Sequence, residues 1–379
     1  MRTRVIVFGG DLKSPPVLFM KRKCTLLITH SCNLNCVYCY EHHKSSARMS
    51  LETARRILQQ ELTSSNPVSE GIDFHFLGGE PLLNFELIRD LCQWAWTRVW
   101  NVPFHFYVIT NGTLLDTAKK DWFEAHKDRI TVDLSVDGFD AEQFANRGCF
   151  ARDLPLEWVR RCWPQSRFKM TVSRQTLPRI ADAILAMTRQ GYNVSITPAM
   201  GIRWTAEDVR EYGRQLSRIV DFYQAVSDVR IWPQLLRSID PLFDDGFVQT
   251  KCCGAGDSAI TYDVDGTDYP CVMFTPLVSG NEVRAELEKI HFDDPVIFAD
   301  DACAGCFIKN MCKTCYGLNL QERGCLASRD KSLCGMYRAE IYAICRFQRD
   351  LLRSLQRPLT ALERVRLQRT ERSCDLLES

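Results

Sequence analysis

Between residues 25 and 225, short runs of β-branched and aromatic residues alternate with longer stretches whose apolar positions recur every three or four residues. The first pattern predicts strands and the second amphipathic helices. Strands are expected at Thr25–Thr29, Ile72–Leu77, Phe104–Ile109, Ile130–Val136, Phe168–Val172 and Val194–Thr197. Helices are expected over Leu51–Leu62, Leu87–Trp100, Leu115–His126, Leu156–Cys162, Arg179–Gln190 and Ala206–Ala225. Ser50 can cap the first helix, whose Leu51, Ala54, Ile57, Leu58 and Leu62 share a face. Six strand–helix units in succession predict an α/β fold with parallel strands, a partial (β/α)6 TIM-like barrel rather than a closed eight. Upstream, β-prone runs at 4–8 and 17–20 around Gly9-Gly10 and Pro15-Pro16 suggest an N-terminal hairpin.

After about residue 235 the alternation stops and cysteines dominate, which predicts a small, loop-rich module that needs metal to fold. A last helical segment, over about 335–372, is rich in arginine. It carries eight Arg against three acidic residues between Arg346 and Arg372, and reads as a solvated helix. The boundaries expected are 1–23 for the extension, 24–235 for the barrel, 236–340 for the cysteine module and 341–379 for the tail.

Composition narrows the partners. The 379 residues carry 48 basic and 47 acidic side chains, a net charge of +1, so nothing global favours nucleic acid or an anionic membrane. No apolar run is long enough for a signal peptide or a membrane span. Eighteen cysteines without a secretory signal point to a reducing cytoplasm, where clustered thiols read as metal ligands before disulfides.

The special residues fall at strand ends, where such barrels collect their functional groups. Cys32, Cys36 and Cys39 follow strand one in a C-x3-C-x2-C spacing; Gly78-Gly79-Glu80-Pro81 closes strand two, Asn111 strand three, and Ser135 and Asp137 strand four. Three thiols on one loop can hold three corners of a [4Fe–4S] cube and leave one iron for another ligand. The same spacing alone also suits zinc or buried thiols, and Gly-Gly-Glu-Pro alone would be a turn. Glycines allow close backbone approach, and Glu80 can accept from an ammonium group.

Taken together, C-x3-C-x2-C with Tyr38 before the last Cys, followed by Gly-Gly-Glu-Pro, resembles the radical S-adenosylmethionine (SAM) superfamily. The resemblance implies that Cys32, Cys36 and Cys39 hold a [4Fe–4S] cluster whose open iron binds SAM. It implies that Gly78, Gly79 and Glu80 hold the methionine amine, and that Tyr38, Ser135 and Asp137 line the nucleoside–methionine site. Asn111 and Ser173 join them on strand-end position.

The run Cys303-x2-Cys306-x5-Cys312-x2-Cys315, with Cys334 beyond and Cys253 and Cys271 upstream, resembles the SPASM extension of that superfamily, which carries two auxiliary [4Fe–4S] clusters. By that resemblance Cys303, Cys306, Cys312 and Cys334 hold the outer cluster, and Cys253, Cys271 and Cys315 the inner one. Two departures stand out. The central run ends in x2 where the family has three residues, and the inner set lacks a clear fourth ligand. Cys252, a substrate group or an open iron would complete it. A zinc ribbon is the competing reading of this module. Cys325 is ambiguous as a ligand. Cys24, Cys92, Cys149, Cys162, Cys345 and Cys374 show no ligand spacing, and His42-His43 read as loop residues.

The function implied is a maturase that oxidises or crosslinks a ribosomally made precursor peptide. It would take electrons from a donor such as flavodoxin or ferredoxin, and a separate leader-binding protein could present the substrate. A sulfatase-maturating, formylglycine-generating enzyme is the alternative within the family, and a non-catalytic, metal-stabilised binding module the alternative outside it.

Overall fold

A computed structural model describes residues 21–63, 70–226, 230–244 and 253–378. The expected N-terminal hairpin and Cys252 lie outside the described residues.

The six units are present and in order. They are β1 (Arg22–Thr29) and α1 (Leu51–Thr63), β2 (Ile72–Gly78) and α2 (Phe85–Trp96), β3 (Phe104–Thr110) and α3 (Thr117–Ala125), β4 (Ile130–Leu134) with α4 (Asp140–Arg147) and α5 (Leu156–Cys162), β5 (Arg167–Val172) and α6 (Ile180–Arg189), and β6 (Asn193–Pro198) and α7 (Ala206–Ala225). Strands β1 to β4 pair in sequence, all parallel, and β5 pairs with β6. A parallel bridge between Ser135 and Lys169 joins the two groups, with Val136 N–H donating to the Lys169 carbonyl at 2.9 Å. The result is the expected open arc of six parallel strands.

Strand alternation sorts the two faces. Ile72, Phe74 and Phe76 of β2, and Phe106 and Val108 of β3, are buried beneath the helices. Phe76 stacks on Phe106 with centroids 5.3 Å apart. The residues between them, Asp73, His75, His105 and Tyr107, point to the opposite face, so the lumen of the arc is polar. Helix α4 was not expected. It follows β4 directly and ends at Gly148, whose φ of 72° forms a left-handed cap.

The cysteine module is not a separate appendage. Its first strand, β7 (Ala259–Tyr262), pairs parallel with β1 through Lys23–Leu26, and β8 (Asp268–Tyr269) pairs antiparallel with β7. Three short helices follow, α8 (Pro276–Ser279), α9 (Val283–Leu287) and α10 (Tyr316–Arg323). The arginine-rich end forms two helices, α11 (Cys334–Arg353) and α12 (Ala361–Glu378), where one segment was expected; Pro358 lies in the turn between them. Helix α11 packs on α7, with the Tyr212 hydroxyl donating to Glu340 Oε1 at 2.9 Å. The arginines of this end are largely paired: Arg353 with Glu371, Arg357 with Glu363, and Arg366 and Arg369 with Asp240.

Among the described residues no helix is long and apolar enough to cross a membrane.

Candidate active site

The chain leaves β1 at Thr29 and runs through a loop that returns at Met49, whose N–H donates to the Ile28 carbonyl at 3.0 Å. Within it Cys39 N–H donates to the Cys36 carbonyl at 3.1 Å, and Val37 N–H to the carbonyl of Asn146 on α4 at 2.9 Å. Asn33 is tied to Thr113 at 2.8 Å and to Asn111 at 3.0 Å, so the loop is also held by the end of β3. His30 Nε2 lies 2.5 Å from Asp263 Oδ1 just after β7, both buried.

The glycine pair after β2 serves this loop. Gly78 has φ +147, and a Cβ there would lie 2.2 Å from the Thr29 carbonyl oxygen. A Cβ on Gly79 would lie 2.3 Å from the Ser31 carbonyl oxygen and 2.9 Å from Cys32 Cβ. Their absence lets Gly79 and Glu80 donate backbone N–H bonds to the Thr29 and Ser31 carbonyls at 3.1 and 2.9 Å. Glu80 is 1% exposed. Its Oε1 accepts from Thr110 Oγ1 at 2.6 Å and Leu82 N–H at 3.0 Å, and its Oε2 from Asn111 N–H at 2.8 Å. A carboxylate has about four acceptor positions, so one remains, on Oε2. Burial pushes its pKa up, against those three bonds.

A cavity of about 360 Å³ opens in front of these elements. Cys32, Cys36, Tyr38 and Cys39 line it from the loop, Gly78, Gly79 and Glu80 from β2, Asn111 from β3 and Ser135 from β4. The structure thus brings nine of the expected site residues to one cavity. Burial pushes the Cys36 thiol up to about 11, against the pull of Arg147.

Two expected residues are placed elsewhere. Asp137 does not line the cavity. Its carboxylate accepts from Tyr38 Oη, Asn146 Nδ2 (3.1 Å) and Arg147 Nε (2.8 Å) on Oδ2, and from Arg147 Nη2 (3.2 Å) and Thr171 N–H (2.7 Å) on Oδ1. With every acceptor position taken it positions Tyr38 and Arg147 rather than a ligand. Ser173 is likewise buried behind the wall and donates to Asn146 Oδ1 at 2.5 Å.

Arg147, Lys23, Lys44, Lys169 and Glu41 also line the cavity and were not singled out in advance. Arg147 was not legible because α4 was not. Lys23 and Lys169 could have been found by extending strand alternation to the lumen face. Burial first, then repulsion from Lys169, lowers the pKa of Lys23. His75, deeper in the lumen, is pushed down to about 2 by burial, then by Lys23 and Lys169, and its Nδ1 has no partner among the described residues.

In the second module Cys303, Cys306, Cys312, Cys315 and Cys334 line one cavity, together with Arg329 and Lys313. The Arg329 Nε and Nη1 atoms are buried there without a hydrogen-bond partner among the described residues. Burial first, then the neighbouring Cys315, pushes the Cys271 thiol up to about 12, so Cys315 stands between the outer and inner sets. Cys253 is exposed, and so is Cys325.

Among the described residues no three His, Cys, Asp or Glu side chains close on one point as ligands of a single ion. The thiols instead share cavity walls, which suits ligands at the separate corners of a cluster. The first cavity fits a cluster with one open corner: three soft donors on one wall, and a carboxylate with one acceptor position left on another. The second fits a fully ligated cluster, whose sulfurs would satisfy the orphaned guanidinium nitrogens.

Comparison with known proteins agrees with this geometry. The chain is 33% identical over 115 residues to an uncharacterised protein of Methanocaldococcus jannaschii, a match over 30% of this chain and 38% of that one. It is 20% identical to the radical SAM cyclopropyl synthase TigE of Paramaledivibacter caminithermalis, over 86% of this chain and 75% of TigE. It is 22% identical to the subtilosin biosynthesis protein AlbA of Bacillus subtilis, over 77% of this chain and 68% of AlbA. Among solved structures it shares its fold with native anSMEcpe bound to AdoMet and the Kp18Cys peptide, with a TM-score of 0.62 at 19% identity over 86% of this chain and 98% of that one. It also shares it with Streptococcus suis SuiB bound to its precursor peptide SuiA, at 0.57 and 16% over 82% and 75%. The family model of the radical SAM superfamily matches residues 26–216, half of the chain, and spans the strands whose ends converge on Cys32, Cys36 and Cys39; the chain belongs to that superfamily.

Proposed function

We propose that this chain is a peptide maturase that uses SAM and three [4Fe–4S] clusters to oxidise or crosslink a residue of a ribosomally made precursor. The observation that carries the reading is the second set of five cysteines on one cavity wall, in a module tied to the barrel by β7. A radical enzyme that only cleaves SAM and abstracts hydrogen has no use for it. TigE, matched over 86% of this chain, is named a radical SAM cyclopropyl synthase, and AlbA, matched over 77%, an antilisterial bacteriocin subtilosin biosynthesis protein; SuiB was solved bound to a precursor peptide.

Cys32, Cys36 and Cys39 would hold the first cluster, which with SAM supplies a 5′-deoxyadenosyl radical to the substrate. Glu80, fixed by Thr110, Leu82 and Asn111, would accept from the methionine amine through its remaining Oε2 position. Tyr38 and Arg147, both held by Asp137, form the wall beside it and exclude water. Ser135 and Asn111, which line the same cavity, would bond ribose or carboxylate oxygens. Lys23 and Lys169 line the lumen side of the cavity, where the substrate residue would enter. Cys303, Cys306, Cys312 and Cys334 would hold the outer auxiliary cluster, and Cys253, Cys271 and Cys315 the inner one; such clusters supply one-electron acceptors. A flavodoxin or ferredoxin would supply the reducing electron, and a separate protein could present the leader. The sulfatase-maturating alternative draws on the fold shared with anSMEcpe, and the same measurements separate it by substrate.

The test is mass spectrometry of the peptide encoded beside this gene after anaerobic incubation with reconstituted enzyme, SAM and reductant. A loss of two hydrogens is expected, with 5′-deoxyadenosine released. The Cys32/Cys36/Cys39→Ala variant should release none. An unmodified peptide would overturn the maturase reading, and 5′-deoxyadenosine from the triple variant would overturn the site.

A further inference from the structure

Arg329 lies in the turn between α10 and α11, with its guanidinium on the wall of the cavity lined by Cys303, Cys306, Cys312 and Cys334. Its Nε and Nη1 are buried and, among the described residues, unpartnered. Among the described residues it has no carboxylate partner; its guanidinium meets the Cys312 thiol, and its charge acts on Cys312, Cys303 and the Tyr316 phenol. Two other cations beside these thiols are paired with carboxylates, while Lys309 and Arg338, also on this cavity, donate to backbone carbonyls. Lys331 Nζ is 2.7 Å from Asp300 Oδ2 and 3.3 Å from Cys303 Sγ, and Lys313 Nζ is 3.4 Å from Glu340 Oε2. A buried donor without an acceptor is costly, more so on a charged group. The orphaned nitrogens of Arg329 therefore mark an acceptor that the described residues do not supply.

We infer that Arg329 is a positioning and charge-setting residue for the outer auxiliary cluster: it gives N–H donors and an uncompensated positive charge to the cluster held by Cys303, Cys306, Cys312 and Cys334, and makes that cluster the easier of the two auxiliary clusters to reduce. The inference rests on the reading that these cysteines hold a cluster. Hydrogen bonds to cluster sulfurs and nearby net charge are what set the potential of such centres. Reduction adds one electron and one negative charge, which a neighbouring guanidinium favours over the oxidised form. Among the described residues around Cys271, the cation that acts on the inner set is Lys23, which also lines the first cavity. The outer cluster, with its buried and permanently charged arginine, is the one built to hold an electron taken from the substrate until an external one-electron carrier removes it.

The test is an EPR-monitored redox titration of the full-length chain carrying Cys32/Cys36/Cys39→Ala, which leaves the auxiliary clusters alone. Two one-electron components are expected. With Arg329→Gln the higher one should shift down, its reduced-to-oxidised ratio at the parent midpoint falling about tenfold, which is about 59 mV for one electron. The lower one should stay in place. Arg329→Lys keeps the charge without the fork and should fall between. Unchanged potentials with full iron content would overturn the inference. So would loss of the outer cluster in both variants, which would assign Arg329 to assembly. A parent chain without auxiliary iron would instead overturn the cluster reading itself.

Discussion

Asp137 shows how the cavity wall is held. Its carboxylate is fully buried and binds Tyr38, Asn146, Arg147 and the Thr171 N–H. Removing it leaves the Arg147 guanidinium buried beside an empty space, and breaking such a pair costs about 3–5 kcal/mol. Asp137→Ala should therefore lower the unfolding free energy by about that much in urea titration, and release Tyr38 from the wall. A loss under about 1 kcal/mol would mean that solvent reaches the pair. Gly79 is the second case. An alanine Cβ would meet the Ser31 carbonyl at 2.3 Å, and that oxygen belongs to backbone that cannot swing away. Gly79→Ala should cost about 1–3 kcal/mol by overpacking. It should also displace Cys32, read as a drop of about four irons per chain after reconstitution. The motif was legible in the sequence because two adjacent glycines at a strand end are rare without cause. That they make room for the cysteine loop was not legible, since Gly79 and the Ser31 carbonyl it meets are 48 positions apart.

At the scale of elements, what sequence could reveal depended on whether burial was apolar. Helices α1 and α7 bury aliphatic stripes, and their expected bounds agree with the structure to within a residue. Helix α4 buries Glu142, Gln143, Asn146 and Arg147. It has no apolar stripe to announce it, because hydrogen bonds to Asp137, Ser173 and Thr171 hold it in place of hydrophobic contacts. Strand β7 is four residues long and β8 two, too short for periodicity to register. Helix α7 allows a test of its start. Thr205 and Asp208 form a capping box, and Asp208 also meets Arg174 at 3.1 Å. Thr205→Ala should cost about 1 kcal/mol. Burial works to raise the Asp208 pKa, but the bonds from Thr205 and Arg174 outweigh it and hold it below the ordinary carboxylate range. A carboxyl depressed in the folded state stabilises fully above its unfolded pKa, about 3.9, and that contribution fades as pH falls through the folded value. Asp208→Asn should therefore destabilise the protein at pH 7 and make little difference near pH 2, as measured by thermal unfolding at the two pH values.

The barrel and the cysteine module share one framework. Strand β7 covers the edge of β1 from Lys23 to Leu26. Asp263 meets His30 at 2.5 Å two residues before Cys32, and the Tyr262 hydroxyl donates to Glu61 at 2.6 Å on α1. The His43 N–H, four residues past Cys39, donates to the Leu277 carbonyl at 3.0 Å. On the other side, Glu340 of α11 takes the Tyr212 hydroxyl, and α11 covers α7, whose Leu216, Ile219 and Val220 are buried. A chain cut at residue 235, where strand–helix alternation ends, would leave β1 as an unpaired edge, which is a template for aggregation. It would also strip the apolar face of α7 and remove the partners of His30 and Tyr212. The 1–235 fragment should therefore elute from size exclusion as aggregate and show no cooperative melt, while the full chain melts in one transition. A monomeric fragment with its own sharp melt would instead show that the cysteine loop is held by the barrel alone. The β7 pairing, His30–Asp263 and His43–Leu277 contacts would then join two independently folded units, and substitutions in the second module such as Arg329→Gln could not disturb the fold around Cys32, Cys36 and Cys39.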